Sequence, residues 1–123
     1  MVNKEQYLRT MTYINVNLPE ADIYDQLAEE CIEMAHACHK MSRYIRGTNP
    51  TPLTKDEIYS KLVEELTDIH VCLDALYEPP EINEELAATK AERWANRILE
   101  IHPESEIESS SSLLSIEEAK LYE

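Results

Sequence analysis

Gln26-Leu27-Ala28-Glu29-Glu30-Cys31-Ile32-Glu33-Met34-Ala35 reads as a core helix into which two acids, Glu30 and Glu33, are set three residues apart. A second stretch, Leu62-Val63-Glu64-Glu65-Leu66-Thr67-Asp68-Ile69, repeats the arrangement with Glu65 and Asp68. At ~100° of turn per residue, the first helix gathers Ile23, Leu27, Cys31, Met34, Cys38, Met41 and Ile45 into one apolar stripe. The second gathers Ile58, Leu62, Leu66, Ile69, Leu73 and Leu76. Glu30 and Glu65 fall at the edge of their stripes, with Glu33 and Asp68 further round the same flank. Two helices built alike pack antiparallel through their stripes, and this brings four carboxylates to one side.

Four clustered carboxylates are unfavourable by themselves, because like charges and loss of water both penalise ionisation. A divalent cation removes that penalty, and an all-oxygen ligand set suits Mg²⁺, with Mn²⁺ as a substitute, better than zinc. A single Glu-x-x-Glu pair is most often a solvated helix face. Two pairs at matched offsets beside apolar stripes are what make Glu30, Glu33, Glu65 and Asp68 candidate metal ligands. Glu29 and Glu64, further from the stripes, are expected to point outward.

Helix limits follow from caps. Pro19 opens the first long helix, which runs to Arg46, where Gly47 supplies a C-terminal stop before Pro50 and Pro52. Thr54 and Glu57 form a capping box that starts the next helix at Lys55 and carries it to about Tyr77, ahead of Pro79-Pro80. A third spans roughly 82–101 and closes at His102-Pro103. Residues 3–14 set Tyr7, Leu8 and Met11 on one helical side, but Asn15 and Asn17 break the pattern before Pro19. Residues 1–19 are therefore read as an N-terminal arm whose conformation the pattern does not set. Residues 20–101 are read as the helical bundle that carries the acid pairs, and 102–123 as a Ser-rich linker with a short terminal helix opened by Ser115 and Glu118. The expectation is an all-α, antiparallel bundle of about four helices.

Composition narrows the chemistry. At 123 residues with one glycine, the chain forms a single domain and lacks the glycines that phosphate-cradling loops and dinucleotide folds require. A net charge of −14 argues against a nucleic-acid partner. Three cysteines without a Cys-x-x-Cys pair read as reduced core thiols. The first residues have no apolar signal region, and no apolar run is long enough to span a membrane, so a cytoplasmic location with no membrane partner is expected. On the third helix Lys90, Arg93 and Arg97 share a narrow strip beside Leu86, Trp94, Ile98 and Ile101. Guanidinium groups suit phosphate, and Asn96 between them is a candidate polar contact. Surface pairing with acids is the competing role for each cation. His36, His39 and His70 lie off the acid flank and are expected to be exposed.

The order Glu30-x-x-Glu33, then Glu65-x-x-Asp68, then a basic third helix resembles the MazG-like all-α nucleoside triphosphate pyrophosphohydrolases, over roughly residues 20–101. Leu27-Ala28-Glu29-Glu30-Cys31-Ile32-Glu33 and Glu64-Glu65-Leu66-Thr67-Asp68 look like that family's two acidic motifs. The resemblance implies a Mg²⁺-dependent hydrolase that cleaves a nucleoside triphosphate to the monophosphate and pyrophosphate by metal-activated water. Glu30, Glu33, Glu65 and Asp68 would be the ligands, and Lys90, Arg93 and possibly Arg97 the phosphate contacts. It also implies a homodimer or homotetramer. The long Gly47–Thr54 loop and Cys31-Ile32 between the first acids depart from the family pattern. Two other readings compete: a non-catalytic acidic helical module that binds nucleotide or protein, and a di-iron carboxylate bundle suggested by Glu33-x-x-His36. The di-iron bundle needs a second Glu-x-x-His motif, which does not follow on a partner helix.

Overall fold

The computed structural model describes residues 3–48 and 52–102, and every regular element among them is a helix. These are α1 (Lys4–Asn17), α2 (Glu20–Arg46), α3 (Lys55–Ala75) and α4 (Glu84–Ile101). The chain divides into two compact units, Met1–Pro80 and Glu81–Glu123. The first holds α1, α2 and α3, and the second holds α4. Pro50, the Ser-rich linker beyond His102 and the terminal helix expected at Ser115 lie outside the described residues.

Local chemistry sets the ends. Thr54 accepts from the Glu57 amide at 3.2 Å while the Glu57 carboxylate accepts from the Thr54 amide at 3.4 Å, the reciprocal box that starts α3. Gly47 ends α2 in the left-handed region at φ 64°, with Arg43 and Arg46 in the last turn beside the negative end of the helix dipole. Asn83 caps α4 by accepting from the Leu86 amide at 2.9 Å.

Residues 1–19 contain more order than their pattern sets. Asn3 caps α1, and the helix continues through Asn15 and Asn17. Asn15 is retained because its side chain donates to the Ala75 carbonyl at 3.0 Å, and Asn17 donates back to the Tyr13 carbonyl at 2.8 Å. Tyr7 adds a bond from its hydroxyl to Asp74 at 2.6 Å. Together with Met11, which is buried against Ile23, Ala75 and Leu76, these contacts fasten α1 to the end of α3.

Helices α2 and α3 form the body of the unit. Ile23 shares a core cluster with Ala75 and Leu76, whereas Glu30 lies with Glu65 and Asp68, so the chain runs up one helix and down the other. Their facing rows differ from the expected stripes. On α2 the buried and half-buried row is Ile23, Leu27, Glu30, Met34, Ala37 and Met41; on α3 it is Ile58, Leu62, Glu65, Ile69, Cys72 and Leu76. Both rows step alternately by four and three residues, the spacing of helices meeting along a narrow seam. Cys31, Cys38, Ile45 and Leu66, expected inside, are exposed. The physical reason is that each helix is apolar over a wider arc than one seam buries, and the acids Glu30 and Glu65 lie in the seam rather than at its edge. Of the three cysteines only Cys72 is a core thiol, with its pKa pushed up by burial and then by the negative charges of Glu30 and Asp68.

Candidate metal centre

One carboxylate oxygen from each of Glu30, Glu65 and Asp68 lies within 4.8 Å of the others. Opposite oxygens around a bound Mg²⁺ stand ~4.2 Å apart, and around Ca²⁺ ~5 Å, so the group has the dimensions of an ion's coordination shell. Glu30 comes from the middle of α2, and Glu65 and Asp68 from successive turns of α3. The antiparallel seam brings them together.

Burial is uneven across the three. Glu65 is only 3% exposed, while Glu30 and Asp68 are half-buried. The two oxygens of Glu65 have different fates: Lys61 Nζ lies 3.0 Å from Oε1, whereas Oε2 is fully buried and has no hydrogen-bond partner. A buried carboxylate oxygen left without a donor is costly, and native proteins seldom keep one without a further ligand. Glu30 accepts from the Gln26 side-chain amide at 2.8 Å. That bond lowers its pKa, but loss of water and the neighbouring carboxylates of Asp68 and Glu65 outweigh it, and the net direction is upward. The like charges are felt.

Glu33, the fourth acid expected here, is exposed on α2 and outside the converging group. It lies one turn beyond Glu30, further from the seam. Glu29 and Glu64 are exposed as well, and Glu64 shares Lys61 at 3.4 Å. His36 and His39 are exposed, and no histidine joins the acids among the described residues, which leaves the di-iron reading without its ligands. His70 is exposed and sits 3.1 Å from Asp74.

Gln26 and Lys61 are the contributors that the acid pattern does not announce. Their signal is the i,i+4 spacing to Glu30 and Glu65, which places a donor one turn from its acid. In the second unit, Lys90, Arg93, Asn96 and Arg97 are exposed on α4, and none of the three cations forms an ion pair among the described residues. No helix among those residues is long and apolar enough to cross a membrane.

Compared with protein-family models, with curated proteins and with solved structures, the chain matches none.

Proposed function

We propose that Glu30, Glu65 and Asp68 hold a divalent cation, Mg²⁺ with Mn²⁺ as substitute, and that the protein is a MazG-like nucleoside triphosphate pyrophosphohydrolase converting a (d)NTP to (d)NMP and pyrophosphate. The observation that carries the reading is one atom, the buried and unpartnered Oε2 of Glu65 inside a cluster of carboxylates. The donor set is all oxygen and anionic, which fits a hard cation. When bound, such an ion polarises phosphate oxygens and lowers the pKa of a water.

The chain's own residues divide the remaining work. Gln26 fixes the Glu30 carboxylate through its amide, and Lys61 fixes Glu65 through Oε1. One of the clustered acids accepts at its carboxylate the proton that an attacking water gives up. Lys90, Arg93 and Arg97, with Asn96, are the phosphate contacts of this reading on the strength of the resemblance and of their unpaired charge. A homodimer or homotetramer belongs to the same reading.

The test is a panel of ribo- and deoxynucleoside triphosphates incubated with Mg²⁺ or Mn²⁺ and assayed for monophosphate and pyrophosphate. Release is expected from at least one substrate, is abolished by chelation and by Glu65→Gln or Asp68→Asn, and acquires a roughly tenfold higher KM in Arg93→Ala, about 1.4 kcal/mol of lost phosphate binding. No pyrophosphate from any triphosphate would refute the activity.

One observation favours a second reading. Lys61 already offsets part of the Glu65 charge, as a non-catalytic acidic module would require. A melting temperature indifferent to Mg²⁺, together with no turnover, selects that alternative.

A further inference from the structure

Helix α4 carries an apolar side that water reaches. At ~100° per residue, Ala87, Ala91, Trp94, Ala95, Ile98 and Ile101 fall within ~120° of its circumference, and past Glu84 no charged side chain shares that arc. Lys90 and Arg97 border it. No residue of the helix is buried: Trp94 is 68% exposed, Ile98 44% and Ile101 71%. Near the first turns Glu84, Ala87, Ala88 and Ala91 line an open hollow of about 500 Å³, where small side chains leave room for larger ones. A helix with such a side draws most of its stability from whatever covers it, and a continuous exposed apolar patch marks a place of contact.

We propose that residues 113–122 of the same chain cover this side, folding back antiparallel along α4. Both belong to one compact unit, Glu81–Glu123. Chain length gives the first argument. The 18 residues of α4 run ~27 Å, and the intervening residues 103–112 reach up to ~33 Å when extended, so the segment can return along any part of the helix. Composition gives the second. Residues 103–112 are polar apart from Pro103 and Ile107, whereas the segment after them gathers Leu113, Leu114, Ile116, Leu121 and Tyr122. Charge gives the third. Glu117 and Glu118 stand among those apolar residues, so a segment laid on the arc brings carboxylates to the bordering Lys90 and Arg97. Tethering gives the fourth. A short linker holds the segment at an effective concentration on the order of millimolar, which a separate chain at micromolar concentration and a net charge of −14 does not match. The acid cluster belongs to the other unit, so the proposal stands independently of the cation.

Trp94 is the only tryptophan, so fluorescence of the full chain reads this contact directly. The wild type is expected to show a shielded indole, poorly quenched by acrylamide and unchanged on dilution. In the double variant Leu114→Asp with Leu121→Asp, the emission is expected to move to the red and quenching to rise several-fold. Neither position lies in α1, α2 or α3, and a helix content that keeps those three confirms that the change is local. A wild-type indole as open as that of the variant overturns the proposal. So does shielding that survives the double substitution, because another part of the chain then covers α4. Shielding that fades on dilution overturns it as well, since it assigns the cover to a second copy. Pyrophosphate release plays no part in these readings, so this proposal and the hydrolase reading fail separately.

Discussion

Glu65 occupies a position that Ile58 and Cys72 fill one heptad before and after it, so a carboxylate stands where packing alone would place an apolar side chain. Buried charges that can be replaced by apolar groups of similar size generally cost stability. Glu65→Leu is therefore expected to stabilise the cation-free protein by about 1–3 kcal/mol in a denaturant titration, because Lys61 is half-exposed and remains solvated when its partner is lost. Lower stability in that variant would mean that the carboxylate is structural. Tyr7 offers a different residue-scale test. Its hydrogen bond to Asp74, followed by burial and the Asp74 charge, raises its pKa from 10.0 to about 12. The neutral form is the one the fold favours, so its contribution is full below pH 10 and is lost as pH rises towards 12. Tyr7→Phe is expected to cost roughly 1 kcal/mol at neutral pH and to remove that alkaline component from the melting profile. Glu30, also raised, favours the fold while protonated, and that contribution is lost as pH climbs through its folded value. As pH is lowered towards 4.5, the ordinary value of a glutamate, the melting temperature should therefore gain less in Glu30→Gln than in the wild type.

Helix ends were legible in the sequence because capping is local. Thr54 with Glu57 and the lone Gly47 determine where α3 starts and α2 stops, and neither depends on what packs nearby. At Gly47 an added Cβ meets nothing within 4 Å, so the cost of Gly47→Ala is backbone strain alone. About 1 kcal/mol of lost stability is expected, with no change in helix packing. An unaltered melting temperature would show that the left-handed cap is not held in solution. Helix rotation was not legible. Cys31, Cys38 and Leu66 are as apolar as the residues that are buried, and a sequence with two apolar rows per helix does not say which row faces the partner helix. The same ambiguity moved Glu30 and Glu65 from the edge of the seam to its interior, and it separated Glu33 from the group. Helix α1 was hidden for another reason: the bond from Asn15 to the Ala75 carbonyl that holds its last turn is tertiary, and no local signal announces it.

Across the molecule, negative charge shapes the behaviour. With 25 acids against 11 Lys and Arg, any added salt relieves repulsion, but only a cation held by Glu30, Glu65 and Asp68 should do so at low concentration. Millimolar Mg²⁺ is thus expected to raise the melting temperature well beyond NaCl of equal ionic strength, by an amount that grows with the logarithm of concentration once the site fills. The candidate site was readable in part, since three of its four expected acids converge. The donors Gln26 and Lys61 that orient those acids emerge only when the helices are placed.

Calorimetric titration of Mn²⁺ into the purified chain and into Glu65→Gln tests the central claim most directly. Saturable binding to the wild type, lost in Glu65→Gln while helix content is unchanged, is the predicted result. Equal binding by both proteins, or none by the wild type, would contradict the assignment of Glu30, Glu65 and Asp68 as a cation site.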